Sequence, residues 1–388
     1  MKQAAAAPRI LFVTPVSPFS CASGSEQRSA LMLSALCSVG DVDVLQLRHG
    51  QATEVSAGEE NGRRSVLALV KGTDMTLSRY QPKLALTRDV ERALGREMSG
   101  YQLIVGRYVW PVCQLVIPKS VPIVVDLDDF RFRYSSDSPR SWALTKERLT
   151  KALAHRFVRM QLKRFKGAFI VSAQDRYDVP GLPTAFLPNV PITTCAIPTA
   201  VPLSKNILFV GSLWYQPNAD GIDWFLSHVW PQVRAREPEA TLTLVGAASH
   251  SARTRWKIQP GVSAPGFVED LAAIYQQANL VVVPIQSGGG TNIKVLEAMA
   301  HGRPCLVSHF VAKAFEDMLT SDKEILVARN ANEFSAKTVQ ALSAQINLQG
   351  VADAGHYAIG RYFSLLLFKS RITDFVQTTL MKTPASDN

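Results

Sequence analysis

The sequence predicts an α/β fold made of two doubly wound domains that face one another across a cleft. Short apolar runs alternate with helical patterns along the chain, and the alternation restarts after a proline-rich stretch between residues 180 and 202. Strands that are apolar on both faces are typical of parallel sheets covered by helices. The length of 388 residues also suits two domains of ordinary size. Ligands in such sheets bind at the carboxyl ends of the strands, so the cleft is the expected site.

The first domain is predicted over residues 1–198, and the segment 51–100 within it shows no clear pattern. A polar loop of small residues follows the first strand and leads into a helix from about Glu26 to Cys37. The expected strands of this domain are Arg9–Thr14, Asp43–Leu47, Leu103–Arg107, Ile123–Leu127 and Ala168–Val171.

The second domain is predicted over residues 203–360, after the prolines. Its expected strands are Asn206–Val210, Thr241–Val245, Leu280–Pro284 and Cys305–Val307. Its expected helices are Asp220–Arg236 and Thr291–Ala300. Trp214 and Trp224 are expected in its core, because aromatic residues among apolar neighbours are more often buried than exposed to a ligand.

Composition excludes several classes of protein. An apolar fraction of 47% is too high for a disordered chain. No apolar run approaches the ~20 residues of a membrane-spanning helix. Five cysteines without a Cys-x-x-Cys pair argue against structural zinc and for a reducing compartment, so a cytoplasmic location is expected.

The positive charge is concentrated in one segment. The chain has a net charge of +10, and residues 131–166 hold 11 basic and 2 acidic residues. At helical spacing, Arg148, Lys151, Arg159 and Lys163 fall on one stripe of that segment. A basic helix face attracts anions, which predicts an acceptor bearing phosphate or an anionic membrane surface. A solvated helix face remains open as an alternative. A nucleic-acid partner is not expected, because no base-reading motif accompanies the charge.

A run of three glycines precedes a predicted helix after an apolar strand. The segment reads Ser-Gly-Gly-Gly-Thr-Asn-Ile-Lys-Val-Leu-Glu over residues 287–297. Glycines let the backbone approach a ligand closely, and the helix N-terminus favours an anion. Lys294 is placed to meet a phosphate, and Glu297, one turn further along, to accept hydrogen bonds from a ribose. The alternative is an ordinary ion pair between Lys294 and Glu297 beside a plain loop.

The second half carries further motifs in a recognisable order. They are Phe-Val-Gly-Ser-Leu at 209–213, Pro-Asn at 217–218, Pro-Gly-Phe-Val at 265–268, the glycine run, and Gly-Arg-Pro at 302–304. This series resembles the nucleotide-sugar domain of retaining GT-B glycosyltransferases, glycosyltransferase family 4 or glycosyl transferases group 1. The resemblance is strong over residues 206–327 and weaker over the first half. It implies two facing Rossmann-like domains, with a C-terminal helix at about 361–388 that packs back on the first.

The resemblance also implies roles for individual residues. Glu297 would bind the donor ribose, Gly211 would form the turn under the diphosphate, and Phe267 and Val268 would lie beside the base. The residues placed against the diphosphate and sugar would be Gly288, Gly289, Gly290, Thr291, Asn292 and Lys294.

Three departures from the family pattern concern the donor sugar and the diphosphate. Gly289 stands where many members have a glutamate that contacts the sugar. The basic residues that often follow the Val-Gly turn are replaced by Ser212 and the uncharged 217–218 segment, which raises the importance of Lys294. Asp128 and Asp129 stand at the usual His-Asp pair, so Asp128 is the candidate for the place of that histidine.

The mechanism implied by the resemblance retains the anomeric configuration and uses no metal or other cofactor. Asp128, Asp129 and Lys294 are the candidate catalytic residues. Two alternatives for the aspartates stay open, a metal-binding carboxylate set that includes Asp126 and a pair that caps the loop. Arg28 and Arg107 are candidates for contact with the acceptor or a membrane.

Three functions are compatible with these observations. The first is transfer of a sugar from a nucleotide-diphosphate sugar to a lipid-linked or saccharide acceptor, in the synthesis of cell-surface polysaccharide or glycolipid. It implies peripheral contact with the inner face of the plasma membrane. The second is a nucleotide-sugar 2-epimerase, and the third is a non-catalytic membrane-surface or regulatory protein with the same fold.

Overall fold

The computed structural model describes most of the chain and divides it into two compact units. The described residues are 7–21, 23–71, 83–128, 160–172, 175–176, 179–191, 198–288 and 292–382. The first unit comprises Met1–Pro188 with Leu365–Asn388, and the second comprises Asn189–Ser364. The boundary between the units therefore lies before residue 198, the predicted end of the first domain. The last strand of the first sheet, Thr184–Phe186, ends just before this boundary.

The first unit contains an eight-stranded sheet in the described residues. Its strands are β1 (Arg9–Thr14), β2 (Asp41–Gly50), β3 (Glu54–Glu60), β4 (Arg63–Lys71), β5 (Leu103–Arg107), β6 (Ile123–Asp126), β7 (Gly167–Ile170) and β8 (Thr184–Phe186). The spatial order is β3-β4-β2-β1-β5-β6-β7-β8. The β3–β4 hairpin is antiparallel, and the other pairings are parallel.

The second unit contains a parallel sheet of six strands in the described residues. They are β9 (Asn206–Val210), β10 (Thr241–Val245), β11 (Val262–Gly266), β12 (Leu280–Val283), β13 (Cys305–Ser308) and β14 (Leu326–Ala328). The order β11-β10-β9-β12-β13-β14 is that of a doubly wound nucleotide-binding sheet, in which the chain changes direction between its first and fourth strands. The predicted two-domain α/β class is confirmed.

Helices connect the strands in both units. They are α1 (Gly24–Leu36), α2 (Lys83–Leu94), α3 (Val109–Cys113), α4 (Gln216–His228), α5 (Trp230–Arg236), α6 (His250–Lys257), α7 (Leu271–Gln277), α8 (Ile293–Ala300), α9 (His309–Ala312), α10 (Ala331–Leu342), α11 (Leu348–Tyr362) and α12 (Leu365–Lys382). Among these helices, none has the length and apolar character needed to cross a membrane.

Local sequence explains where several helices begin. The Ser23 side chain accepts a hydrogen bond from the Glu26 amide and caps α1, and Asp270 caps α7 in the same way. The predicted helix 220–236 is divided at Val229, because Pro231 lies in the first turn of α5, where its missing N–H costs nothing. At the other end of the chain, α12 packs against α1 and β8 of the first unit.

Candidate functional site

The switch point of the second sheet lies between β9 and β12, which are adjacent and parallel. Gly211 follows β9, and the segment 284–292 follows β12 and leads into α8. Ligands of doubly wound folds bind at the carboxyl ends of the strands at this point. The topology therefore brings the Val-Gly turn and the N-terminus of the Lys294 helix to one edge of the sheet.

The turn after β9 is closely packed against neighbouring side chains. A Cβ at Gly211 would lie 3.0 Å from Cε of Lys294 and 3.3 Å from Nδ2 of Asn218. A Cβ at Gly246, after β10, would clash with the Gly211 carbonyl oxygen, and Gly246 has a φ of +140°. The Gly246 amide donates to the Gly266 carbonyl at 2.8 Å, so the turns after β9, β10 and β11 lie against one another.

Lys294 is buried beneath this turn. Its side chain belongs to the first turn of α8, and the residue is only 9% exposed. The ammonium donates a hydrogen bond of 3.2 Å to Oδ1 of Asn292 and lies 6.0 Å from the centre of the Phe209 ring. Burial lowers the pKa of Lys294 to about 8, although Glu297 and Cys305 oppose the shift. A buried cation with so little compensation favours the approach of an anion.

Glu297 lies on the same helix, one turn after Lys294. Burial raises the pKa of Glu297 to about 7, and the neighbouring Lys294 offsets only part of that rise. Hydrogen bonds from ligand hydroxyls to the charged form would lower this pKa again.

Tyr275 is a neighbour of Glu297 to which the sequence analysis assigned no role. The residue is 1% exposed, and its ring stacks on His301 with centroids 4.6 Å apart. Its hydroxyl has no hydrogen-bond partner in the described part of the chain. Burial, with the Glu297 carboxylate, raises the pKa of Tyr275 well above its usual value. Its position on α7, just after the Pro-Gly-Phe-Val motif, was the signal that could have found it.

Those remaining predicted donor residues that the structure describes lie on loops at the same edge. Phe267 follows β11 and is 74% exposed, and Val268 beside it is half-buried. Gly288 has a φ of +113°, and a Cβ there would meet Pro217 at 3.2 Å and the Tyr215 hydroxyl at 3.6 Å. Asn292 directly precedes α8. Gly289, Gly290 and Thr291 lie outside the described residues.

The expectation for Trp214 is wrong. It is 70% exposed, and Tyr215 next to it is 40% exposed. Both follow the Gly211 turn, where the chain runs along the edge of the sheet before α4 begins. Trp224 is half-buried and packs edge-on against Phe334, with centroids 5.9 Å apart.

In the first unit, Arg28 and Asp126 form a buried ion pair. Arg28 on α1 donates from Nη2 to Oδ1 of Asp126 at 2.6 Å and from Nε to Oδ2 at 2.9 Å. It also donates to the Leu187 carbonyl at 3.0 Å. Burial would lower the pKa of Arg28, but the carboxylates of Asp126 and Asp128 outweigh it and raise that pKa.

Arg107 adds a second guanidinium to this cluster. Arg107 ends β5, and its backbone pairs in register with Asp126 at the end of β6. Its Nη2 donates to Oδ2 of Asp128 at 2.9 Å and to the Tyr108 hydroxyl at 2.9 Å. Tyr108 has a φ of +63°, which is uncommon for a bulky residue and strains the backbone here.

The structure changes the expectations for Arg28 and Arg107 in the first unit. Arg28 and Arg107 are buried and paired with carboxylates, so neither guanidinium faces a membrane surface. The structure brings Asp126 and Asp128 together, but around two arginines. Groups of three or more metal-ligating side chains are absent from the described residues. Lys163 is exposed, whereas Asp129, Arg148, Lys151 and Arg159 lie outside the described residues.

Comparison with known proteins agrees with the fold and with the motifs of the second unit. The family model of glycosyl transferases group 1 matches residues 204–344. An uncharacterised 44.6 kDa protein in the cps region of Klebsiella pneumoniae is 27% identical over 144 residues. That match covers 34% of this chain and 37% of the relative, so it spans little more than a third of the relative's length.

Solved structures extend the likeness to both units. Sucrose-phosphate synthase from Thermosynechococcus elongatus is 16% identical with a TM-score of 0.67, and the match covers 96% of this chain and 99% of that one. HepE from Anabaena, in complex with UDP and glucose, is 14% identical with a TM-score of 0.61 over 96% and 100% of the two chains. TarM is 12% identical with a TM-score of 0.56, over 72% of this chain and 54% of its own. At these identities the likeness establishes the two-domain fold.

Proposed function

We propose that this protein is a retaining GT-B glycosyltransferase that moves a sugar from a nucleotide-diphosphate sugar to a saccharide or lipid-linked acceptor. One observation carries the proposal: the Gly211 turn, buried Lys294 and the start of α8 meet at the switch point of the second sheet. The family match over residues 204–344 covers this same unit, and HepE, with the same fold, has been seen with UDP and glucose.

The energies require more than the anion site to hold the donor. A helix N-terminus contributes at most ~2 kcal/mol toward an anion, whereas micromolar affinity needs ~8 kcal/mol. A charged Glu297 would add hydrogen bonds from the ribose hydroxyls, each worth ~1.5–3 kcal/mol. Exposed Phe267 would add packing of the base, with the Val268 backbone beside its edge. The diphosphate would lie against Gly211, with Asn292 and the glycines at 288–290 along the loop.

In the proposed reaction, the bond between the anomeric carbon and the diphosphate oxygen breaks. The acceptor hydroxyl oxygen forms the new glycosidic bond on the same face, and its proton passes to the leaving diphosphate. Lys294 and the N-terminus of α8 would stabilise the charge that develops on the diphosphate. An anion beside Lys294 raises the pKa of the amine, so the ammonium form prevails when the donor is bound. No metal or other cofactor takes part in this scheme.

In the first unit, Asp128 is proposed to orient the donor sugar or to support positive charge at its anomeric carbon. Arg107 holds its carboxylate at 2.9 Å, and Nε of Arg28 lies 4.0 Å away. Both contacts place positive charge beside the Asp128 carboxylate. Arg28 and Arg107 are then positioning residues, and acceptor contact is left to the rest of this unit. Asp129 is proposed as a further catalytic residue.

The acceptor and the location are proposed from context. A relative encoded in a cps region supports a role in the synthesis of cell-surface polysaccharide. The basic segment between residues 131 and 166, to which exposed Lys163 belongs, is proposed to hold the enzyme against anionic lipid on the cytoplasmic face of the membrane.

Thermal shift with a donor panel tests the proposal. UDP, GDP, ADP and their sugar conjugates are added to the wild type, to Glu297→Ala and to Glu239→Ala, a control carboxylate that is 83% exposed on its side chain. We expect the nucleotides of one base to raise the melting temperature of the wild type and of the Glu239→Ala control. The shift should disappear in Glu297→Ala. No shift with any nucleotide would refute the donor site. Nucleotide binding without transfer to any acceptor would favour the non-catalytic alternative.

A further inference from the structure

Two aromatic side chains next to the proposed donor site have no role in the scheme above. Trp214 is 70% exposed and Tyr215 is 40% exposed. Exposed aromatic side chains that adjoin one another commonly mark a binding surface, since a soluble protein otherwise buries them. The ring centroids are 6.3 Å apart and the rings are inclined at 74°, so the pair presents two aromatic surfaces that meet at a corner.

The backbone that carries the pair is held in place on both sides. The Trp214 amide donates to the Ala247 carbonyl at 3.1 Å, which ties it to the turn after β10. Nδ2 of Asn218 donates to the Ser212 carbonyl at 2.8 Å, and the Asn218 amide donates to the Tyr215 carbonyl at 2.9 Å. These contacts fix the loop before any ligand arrives, which lowers the entropy cost of binding.

Tyr215 also adjoins Gly288, the first residue of the glycine run. The Tyr215 hydroxyl lies 3.6 Å from the position of a Cβ at Gly288, and Pro217 lies 3.2 Å from that position. A side chain at 288 would therefore press on Pro217 and approach the Tyr215 hydroxyl, so Tyr215 packs close to Gly288.

The chemistry of the pair suits a sugar ring. A pyranose has a face of C–H groups, which packs on an aromatic ring, and hydroxyls at its edge, which require hydrogen-bond partners. The indole supplies an apolar face, and the phenol supplies a face with a hydroxyl at its tip. Neither residue carries charge, so the pair offers a diphosphate no ionic contact.

We propose that Trp214 and Tyr215 form a stacking subsite for a pyranose ring beside Gly288. This inference rests on the proposed function and adds a determinant of sugar specificity to it. The ring could come from the donor sugar or from the saccharide acceptor. The experiment separates these two sources.

Isothermal titration compares the wild type with Trp214→Ala and Tyr215→Ala. The control is Tyr357→Ala, which removes a 70% exposed aromatic from α11 in the same unit. Each protein is titrated with UDP and GDP, with their glucose, N-acetylglucosamine and mannose conjugates, and, without nucleotide, with a panel of free mono- and disaccharides. Circular dichroism checks that each variant is folded, and exposed positions should tolerate the change.

We expect Trp214→Ala to lose at least tenfold in affinity for a sugar-bearing ligand, equivalent to ~1.4 kcal/mol. Affinity for the bare nucleotide should stay within twofold, and the control should match the wild type. A loss confined to the nucleotide sugar identifies the donor sugar, and a loss confined to free saccharide identifies the acceptor. Equal losses for UDP and UDP-sugar, or no loss with any ligand, would overturn the subsite.

The saccharide titration keeps this result separate from the donor site. If the wild type binds no nucleotide, the proposed function fails, but saccharide binding that Trp214→Ala abolishes still supports the subsite. Alternatively, the wild type binds nucleotide while Trp214→Ala leaves the affinities for nucleotide sugar and for free saccharide unchanged. In that case the proposed function stands and the subsite is refuted.

Discussion

Replacing buried Lys294 by methionine should make the unliganded protein more stable and abolish its response to the nucleotide. Burial lowers the pKa of Lys294 from 10.5 to about 8. Since a pKa difference of one corresponds to ~1.4 kcal/mol, the folded protein disfavours the ammonium form of Lys294 by ~3 kcal/mol relative to the unfolded chain. Methionine has a similar volume and no charge. We expect a gain of order 1–3 kcal/mol at pH 7, which is about 2–4 °C in melting temperature for each kcal/mol.

The lowered pKa of Lys294 also determines how the stability gain of Lys294→Met changes with pH. Because the folded pKa of Lys294 is below the unfolded one, the unfolded chain binds more protons between about pH 8 and pH 10.5. The contribution of Lys294 to stability therefore rises with pH through that window. The advantage of Lys294→Met should be full below pH 8 and should disappear as the pH rises towards 10.5.

The assay is thermal unfolding from pH 6 to pH 10 with and without the nucleotide that shifts the wild type in the donor panel. Wild type, Lys294→Met and Lys313→Met are compared, the last being an exposed lysine at the end of α9. The difference between wild type and Lys294→Met removes the effect of other groups that titrate in the same range. A Lys294→Met variant that is less stable than the wild type at pH 7, or that keeps the full shift with this nucleotide, would refute the reasoning.

Two further changes test the buried polar groups around each site. Arg28→Met should destabilise the protein by ~3–5 kcal/mol, because it leaves the Asp126 carboxylate buried without its bidentate partner. Adding Asp126→Leu should recover most of that loss in denaturant titrations, and no recovery would mean that packing around Arg28 dominates. Tyr275→Phe should raise stability by ~1–2 kcal/mol, since it removes a buried hydroxyl that has no partner in the described residues. A clear loss of stability in Tyr275→Phe, measured in the same way, would mean that the Tyr275 hydroxyl has a hydrogen-bond partner.

Apolar runs predicted the buried strands well, because a central parallel strand needs little besides apolar residues. The strands at 9–14, 103–107, 206–210 and 241–245 have the predicted bounds. Elements at the edges were missed. β3 is almost wholly exposed, so its residues lack the apolar signal, and β11 contains a proline and a glycine at 265–266.

The site was predictable where chemistry follows from backbone geometry. Glycines before a helix and a lysine in its first turn are sequence-local features, so the edge at Gly211 and Lys294 could be expected. The partners of Arg28 could not, because Asp126 is 98 positions away in the chain and only the tertiary packing of α1 brings the two together. Exposure of Trp214 was also hidden, since apolar residues around a turn are equally compatible with burial.

The charges of the two units explain why the donor diphosphate is assigned to the second. At the carboxyl edge of the first sheet, Arg28 and Arg107 are already compensated by Asp126 and Asp128 at hydrogen-bond distance. An anion placed there would compete with two carboxylates. At the edge of the second sheet, Lys294 has the neutral Asn292 amide as its hydrogen-bond partner, and its pKa is lowered. An incoming diphosphate would remove that penalty, so the same burial that costs the free protein stability contributes to binding the donor.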